Sequence, residues 1–185
     1  MDAPAPGHYW KTPFNWEAGC ELPPEVPALQ FEPAEDAWLR AAVGTVMNRS
    51  LDESDQATVQ QIGLAKAVAE VFDWVPSHFS HQPAWWRAAL DHSGQRVGFV
   101  LPTQFLAEAR WKDGRPQGTI LYMGVLPEFR GKGHGLELIR EATRLLIAAD
   151  CWRVFCDTGT SNKPMVTAFR NAGYQERSPW QRPLV

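Results

Sequence analysis

Apolar positions along the 185-residue chain switch between two spacings, and the switches mark its elements. Trp38, Leu39, Ala42, Val43 and Val46 recur every three or four residues and predict a helix over about 34–47, with Pro33 suited to its first turn. Ile62, Ala65, Val68, Ala69 and Phe72 predict a second helix over about 55–73, capped by Ser54 or Asp55. Leu136, Ile139, Ala142, Leu145, Leu146 and Ala149 form the best amphipathic stripe, and 162–172 reads as a short helix ended by Gly173. Leu29-Gln30-Phe31 reads as a first strand, 85–91 and 95–101 as a hairpin around His92-Ser93-Gly94, and 102–116 as a connection. Residues 119–126 are continuously apolar, as in a buried central strand, and 152–157 form another strand. Residues 174–185 have room for one or two edge strands broken by Pro179 and Pro183.

The order β-α-α-β-β-β-α-β-α-β predicts an α+β fold, a mixed sheet of about six or seven strands with helices on both faces. Residues 1–27 stand apart. They carry Pro4, Pro6, Pro13, Pro23, Pro24 and Pro27, which exclude a helix and disfavour a central strand. Tyr9, Trp10, Phe14 and Trp16 are too aromatic for a solvated linker. The expectation is an arm over 1–27, lying on the domain of 28–185 or on a second subunit, so a homodimer is compatible with the sequence.

Composition narrows the class. A net charge of −3 supplies no basic field for nucleic acid, and no apolar run nears the roughly 20 residues that span a bilayer. The start, Met1-Asp2-Ala3-Pro4, has neither the positive nor the apolar region of a signal peptide. Cys20, Cys151 and Cys156 show no metal or disulfide spacing and read as reduced thiols, so the expected location is cytoplasmic, with no metal site.

The strongest chemical signal is Val125-Leu126-Pro127-Glu128-Phe129-Arg130-Gly131-Lys132-Gly133-His134-Gly135. A buried strand enters a turn with three alternate glycines and leaves as a long helix. Glycine permits positive φ and close backbone approach. Successive amides of such a turn form an anion nest, and the helix start adds unpaired N–H groups and partial positive charge. A diphosphate fits there, with Arg130 and Lys132 adding charge. The spacing matches neither a Walker loop nor a dinucleotide fingerprint.

Arg130-Gly131-Lys132-Gly133-His134-Gly135 resembles the R/Q-x-x-G-x-G/A coenzyme A loop of GCN5-related N-acetyltransferases. Asn162, Met165, Ala168-Phe169 and Gly173-Tyr174 match that family's N-x-x-A-x-x-L-Y-x-x-x-G-F helix in spacing. The resemblance covers about 94–175. It implies acetyl-CoA as co-substrate. The backbone of Met123, Gly124 and Val125 would lie along the pantetheine arm at a strand bulge, and an N–H there would polarise the thioester carbonyl. The amides of 130–135, His134 included, would hold the pyrophosphate, Asn162 would bond the arm and Phe169 would pack against it. Phe169 stands where many members carry a tyrosine that protonates the departing thiolate. Tyr122, Tyr174 or water could substitute.

Transfer to an amine needs a neutral nucleophile, and an alkyl ammonium with pKa about 10.4 is mostly protonated near neutrality. Asp157, five residues before Asn162, is the leading base candidate on the same resemblance, and Glu108 a weaker one. Asp52, Glu53 and Asp55 would form a negative rim for an ammonium, and Trp85, Trp86 and Trp111 could line an apolar acceptor site. His134 reads as a loop residue, not a catalyst. The expected activity is acetyl transfer to a small-molecule or peptide amine by direct attack, without a covalent enzyme intermediate. The rival readings are a coenzyme A-binding sensor and a protein or peptide acetyltransferase.

Overall fold

The computed structural model describes residues 3–17, 19 and 28–184; Cys20 lies outside them. Nine strands form one sheet. They are β1 (His8–Glu17), β2 (Gln30–Pro33), β3 (Phe79–Ser80), β4 (Arg87–Leu90), β5 (Arg96–Phe105), β6 (Gln117–Val125), β7 (Arg153–Gly159), β8 (Gln175–Glu176) and β9 (Trp180–Pro183). The main path is β2-β4-β5-β6-β7-β1-β8, seven strands as the upper expectation had it; β3 joins β5 and β9 joins β1. Helices α1 (Asp36–Met47), α2 (Glu53–Ile62), α3 (Leu64–Asp73) and α4 (Val75–His78) precede the long strands, while α5 (His134–Ala148) and α6 (Lys163–Asn171) alternate with the later ones. α1 packs against β5 and β6 together with α3, and α5 packs against the same strands together with α6. No helix among the described residues is long and apolar enough to cross a membrane.

Two expectations change. The predicted 55–73 helix is two helices, because Gly63 adopts φ 81°, ψ 152° and ends α2 before α3 begins. The cap of α2 is Asp52, which accepts a hydrogen bond from the Ser54 amide. The second change is larger. Residues 8–17 are not an arm laid on a finished domain but a ten-residue strand inside the sheet, between β7 and the short β8 and β9. Seven of its residues, Lys11 to Glu17, pair antiparallel with β7, so a domain boundary at 27/28 would remove an interior strand.

Pro13 is tolerated there for a geometric reason. The Arg177 amide donates to the Pro13 carbonyl, so the polar edge of Pro13 faces away from β7. On that side β8 pairs with Phe14 and Asn15, while β9 pairs with 8–11. The missing N–H therefore falls in the gap between two short strands and costs no ladder bond. Phe14 is fully buried and stacks on Phe169 of α6, with ring centroids 4.9 Å apart. Phe14→Ala is expected to destabilise the protein by about 3–5 kcal/mol, measured by urea unfolding. A loss below 1 kcal/mol would show that β1 is peripheral.

Candidate active site

β6 and β7 are parallel neighbours that pair only at Gln117↔Arg153 and Gly118↔Val154 and then separate. A cavity of about 1410 Å³ opens between them. The Leu126 amide donates to the Val97 carbonyl, so strand alternation turns Gly124 toward β5 and turns Met123 and Val125 toward the cleft. There β7 no longer supplies partners for the Met123 N–H and C=O or the Val125 N–H. Gly124 has a different use: a Cβ there would lie 2.6 Å from Val46, so glycine lets α1 close on β6. The bulge expected at 123–125 lies earlier. Leu101 pairs with Tyr122 and Pro102 with Ile120, leaving Leu121 as the extra residue.

The turn after β6 has the shape the glycines suggested. Gly131 and Gly133 adopt φ 81° and 84°, and a Cβ at either would enter open space. Gly133 caps α5, which begins at His134. Gly131, Gly133, His134 and Gly135 line the cavity. The buried Nδ1 of His134 has no hydrogen-bond partner, which leaves a polar group available to a ligand. A Cβ at Gly135 would sit 3.9 Å from Ala168, so the groove between α5 and α6 stays open. The two cationic side chains do not aim at this nest. Arg130 donates to the carbonyls of Arg49 (2.7 Å) and Val125 (3.2 Å), bracing the strand end against the loop after α1. Lys132 is exposed, with Nζ 5.6 Å from the Phe129 ring centroid, and lies outside the cavity lining. The nest is therefore built of backbone.

Asn162 caps α6. Its Oδ1 accepts from the Met165 amide and its Nδ2 donates to Thr158 Oγ1, both at 3.4 Å, the long end of hydrogen bonding. Phe169 is wedged between Phe14 and the edge of Tyr174, yet it still lines the cavity.

The opposite wall holds three carboxylates in three environments. Asp52 accepts from the Gly159 amide (2.6 Å), Thr158 Oγ1 (3.0 Å) and the Ser54 amide, so it ties the start of α2 to the end of β7. Asp157 pairs with Lys11 of β1 at 3.0 Å, and Asp52 lies 4.0 Å from the same ammonium. Burial pushes the Lys11 pKa down, but attraction to Asp157 and then Asp52 outweighs it, and the net shift is upward. Asp55 has neutral partners instead: Ser50 Oγ and Tyr122 Oη each donate to Oδ2 at 2.6 Å. Burial raises its pKa against the lowering effect of those two bonds. Tyr122 is raised well above the usual phenol value, by burial first and by the Asp55 charge second.

Several candidates fall elsewhere. Glu108 is exposed in a 3-10 turn (Glu108–Arg110) and does not line the cavity. Trp85 and Trp86 are core residues, and Trp111 is exposed, donating to the Phe105 carbonyl. Tyr174 bonds Thr143 in the core at 2.7 Å, away from the cavity. Besides Tyr122, Phe129 and Phe169, the aromatic lining comes from Trp74, Phe79, Phe105, Phe155 and Trp180. Lys11 was hidden by the proline count of the first 27 residues. The signal that could have found its strand is the alternation of Trp10, Thr12, Phe14 and Trp16 around it.

The separated parallel strands, the glycine turn at a helix start and the paired groove of α5 and α6 define an acyltransferase-type fold. The chain belongs to the acetyltransferase (GNAT) family, whose family model matches residues 47–174. Among solved structures, it is similar to a GCN5-related N-acetyltransferase from Sphaerobacter thermophilus at 15% identity and TM-score 0.57, over 95% of this chain and 52% of that one. A GNAT-family acetyltransferase from Colwellia psychrerythraea aligns at 12% identity and TM-score 0.56, over 94% and 54%. The glucosamine N-acetyltransferase region of a fungal multi-domain β-N-acetylglucosaminidase aligns at 14% identity and TM-score 0.58, over 93% and 20%. The chain thus spans about half the length of the first two and a fifth of the third. No curated protein matches its sequence.

Gly133→Glu is expected to abolish association with coenzyme A in calorimetry, because a carboxylate would enter the nest. The positive φ adds a stability cost of about 1–2 kcal/mol, too small to unfold the chain. Retained affinity in a folded variant would refute a backbone anion site at this turn.

Proposed function

We propose that the chain is an acetyl-CoA-dependent N-acetyltransferase that passes the acetyl group directly to a primary amine. The observation that carries this reading is the split of β6 and β7 between a backbone nest and a wall of carboxylates. The residues present fit the donor. Met123 and Val125 present backbone groups released from the ladder, the 131–135 turn offers amides, and His134 Nδ1 has no partner within the protein. Bound there, acetyl-CoA would supply an activated acyl group. The Met123 N–H would donate to the acyl oxygen as charge develops on it, an oxyanion-hole contribution worth several kcal/mol in other enzymes.

On the facing wall we assign the base to Asp55 in place of Asp157. Asp157 pairs with the Lys11 ammonium at 3.0 Å, so its near oxygen is occupied. Asp55 has no cation within ion-pair distance among the described residues, and its raised pKa brings it closer to that of the amine it must deprotonate. The amine would be drawn in by the three acids, lose a proton toward Asp55 and attack the acyl carbon. Positioning both reactants in one cleft would supply much of the rate. Tyr122 spends its proton on Asp55 and fixes the carboxylate's direction.

A raised carboxylate pKa also sets a sign for stability. The folded protein binds this proton more tightly than the unfolded chain, so its contribution falls as pH rises from the ordinary carboxylate range through the raised value. Asp55→Asn is therefore expected to lower kcat by at least 100-fold, and to remove the acidic limb of the pH–rate profile, without lowering the melting temperature at pH 7.5. Asp157→Asn is expected to cost less than tenfold in kcat while destabilising the fold. Reversal of that ranking would return the base to Asp157. Binding of coenzyme A with no release of free thiol across a broad amine panel would favour a sensor over an enzyme.

A further inference from the structure

We propose that the acceptor is a monoamine with an apolar, ring-bearing body and an acidic group at the far end, which pairs with Arg110. This rests on the acetyltransferase reading above and adds the substrate class. Large apolar side chains exposed among the described residues are Leu51, Trp74, Leu106, Trp111, Ile147, Trp180 and Leu184. Leu51, Trp74, Leu106 and Trp180 all line the one cavity. Exposed apolar groups gathered at one mouth mark a contact site, whereas the same groups scattered singly would not. Trp74 and Trp180, 56% and 43% exposed, offer flat faces at low conformational cost.

The cavity lining carries four acids, Asp52, Asp55, Glu70 and Asp157, and four basic side chains, Lys11, Arg110, Arg130 and Arg182. Asp52, Asp55 and Asp157 cluster where β6 and β7 part, with Lys11 among them. Arg110 and Arg182 line the same cavity from the 3-10 turn after β5 and from β9. The Arg110 guanidinium lies 4.9 Å from the Phe105 ring centroid and 6.0 Å from that of Phe155. It forms no ion pair with any described carboxylate. Phe155 precedes Asp157 by two residues on β7, so both side chains share a strand face about 7 Å apart along the chain.

Arg110 packs on Phe105 and Phe155, and Phe155 shares the β7 face with Asp157, so a ligand running from the acid cluster to Arg110 would pass over those rings. The adjacent charges of an α-amino acid do not reach across those rings; a ring or chain between the two charges does. A polyamine would carry its second cation onto Arg110 or Arg182, and like charge there would repel it. Arg110 would hold a carboxylate through a charge-assisted, two-pronged contact on a surface already stacked against rings.

The test uses the full chain with 4-(2-aminoethyl)benzoate, its uncharged parent 2-phenylethylamine, spermidine and a short peptide with a free N-terminus. Binding is read by calorimetry on protein saturated with coenzyme A, and turnover by thiol release from acetyl-CoA. The carboxylate probe is expected to bind about tenfold or more tightly than its parent and to show the lower KM. Arg110→Gln, at an exposed position, should erase that difference by raising the KM of the carboxylate probe. Equal or better binding of the parent, spermidine or the peptide would overturn the proposal, as would an Arg110→Gln effect equal on both ring probes, or no binding of any probe. Arg110-dependent binding without turnover would uphold the acceptor class and overturn the transferase reading instead.

Discussion

Two parallel strands at the middle of this sheet stop pairing after two residues, and every part of the site depends on their staying apart. Unpaired backbone in a buried region is costly, so something other than a partner strand must hold β7 in place. β1 does most of this, pairing with β7 along its whole length from Arg153 to Gly159. Asp52 takes the Gly159 amide and the Thr158 hydroxyl at the far end. At the near end the buried Cys156 thiol is hydrogen-bonded to the backbone of Ile120, and burial pushes its pKa up to about 12. That buried thiol sits in the fork of the strands, and its raised pKa makes it unsuited to act as a nucleophile near neutrality. The N-terminal strand is thus what makes an open cleft compatible with a stable sheet.

The same arrangement sorts the carboxylates. Asp52, Asp55 and Asp157 converge within one wall, where like charges would otherwise raise each other's pKa. Lys11 enters from β1 and neutralises part of that cluster, pairing with Asp157 and reaching Asp52 at 4.0 Å. Asp52 is further satisfied by backbone and hydroxyl donors. Asp55 accepts from two hydroxyls and is buried, and burial raises its pKa. A raised carboxylate pKa suits a group that must accept a proton from an amine.

Legibility in the sequence followed the range of the interactions. The helix stripes of α1, α5 and α6, the continuous apolar run of β6 and the glycine turn are set by neighbours within a few residues, and their periodicity or φ requirement can be read locally. The break at Gly63 was missed because apolar spacing continues across it; only the conformation of that glycine ends α2. β1 was missed because Pro13 counts against a central strand unless one knows that its vacant N–H faces a gap between β8 and β9. The acids of the loop before α2 were legible as a negative rim, but the pairing of Lys11 with Asp157, the bond from Tyr122 to Asp55 and the meeting of Trp74 and Trp180 at one cavity are products of tertiary placement. Arg130 shows the converse: its charge beside the glycines is legible, but its use, bracing two carbonyls, is not.

Phe169 ties these threads together. A tyrosine at this position would offer the departing thiolate a proton, and neither remaining candidate hydroxyl takes over that task. Tyr122 donates to Asp55, and Tyr174 shares its hydrogen bond with Thr143 in the core. The Phe169 ring stacks on Phe14, so this residue also anchors β1 to α6. An ordinary thiol ionises near pH 8.5, which makes its anion a tolerable leaving group without a proton donor. In the proposed reaction the harder proton problem lies with the amine, whose pKa is about two units higher, and the protein invests its perturbed carboxylate there. A phenylalanine here is therefore consistent with transfer chemistry: its ring packs against the strand that keeps the cleft open, and the hydroxyl it lacks would help at the step that needs help least.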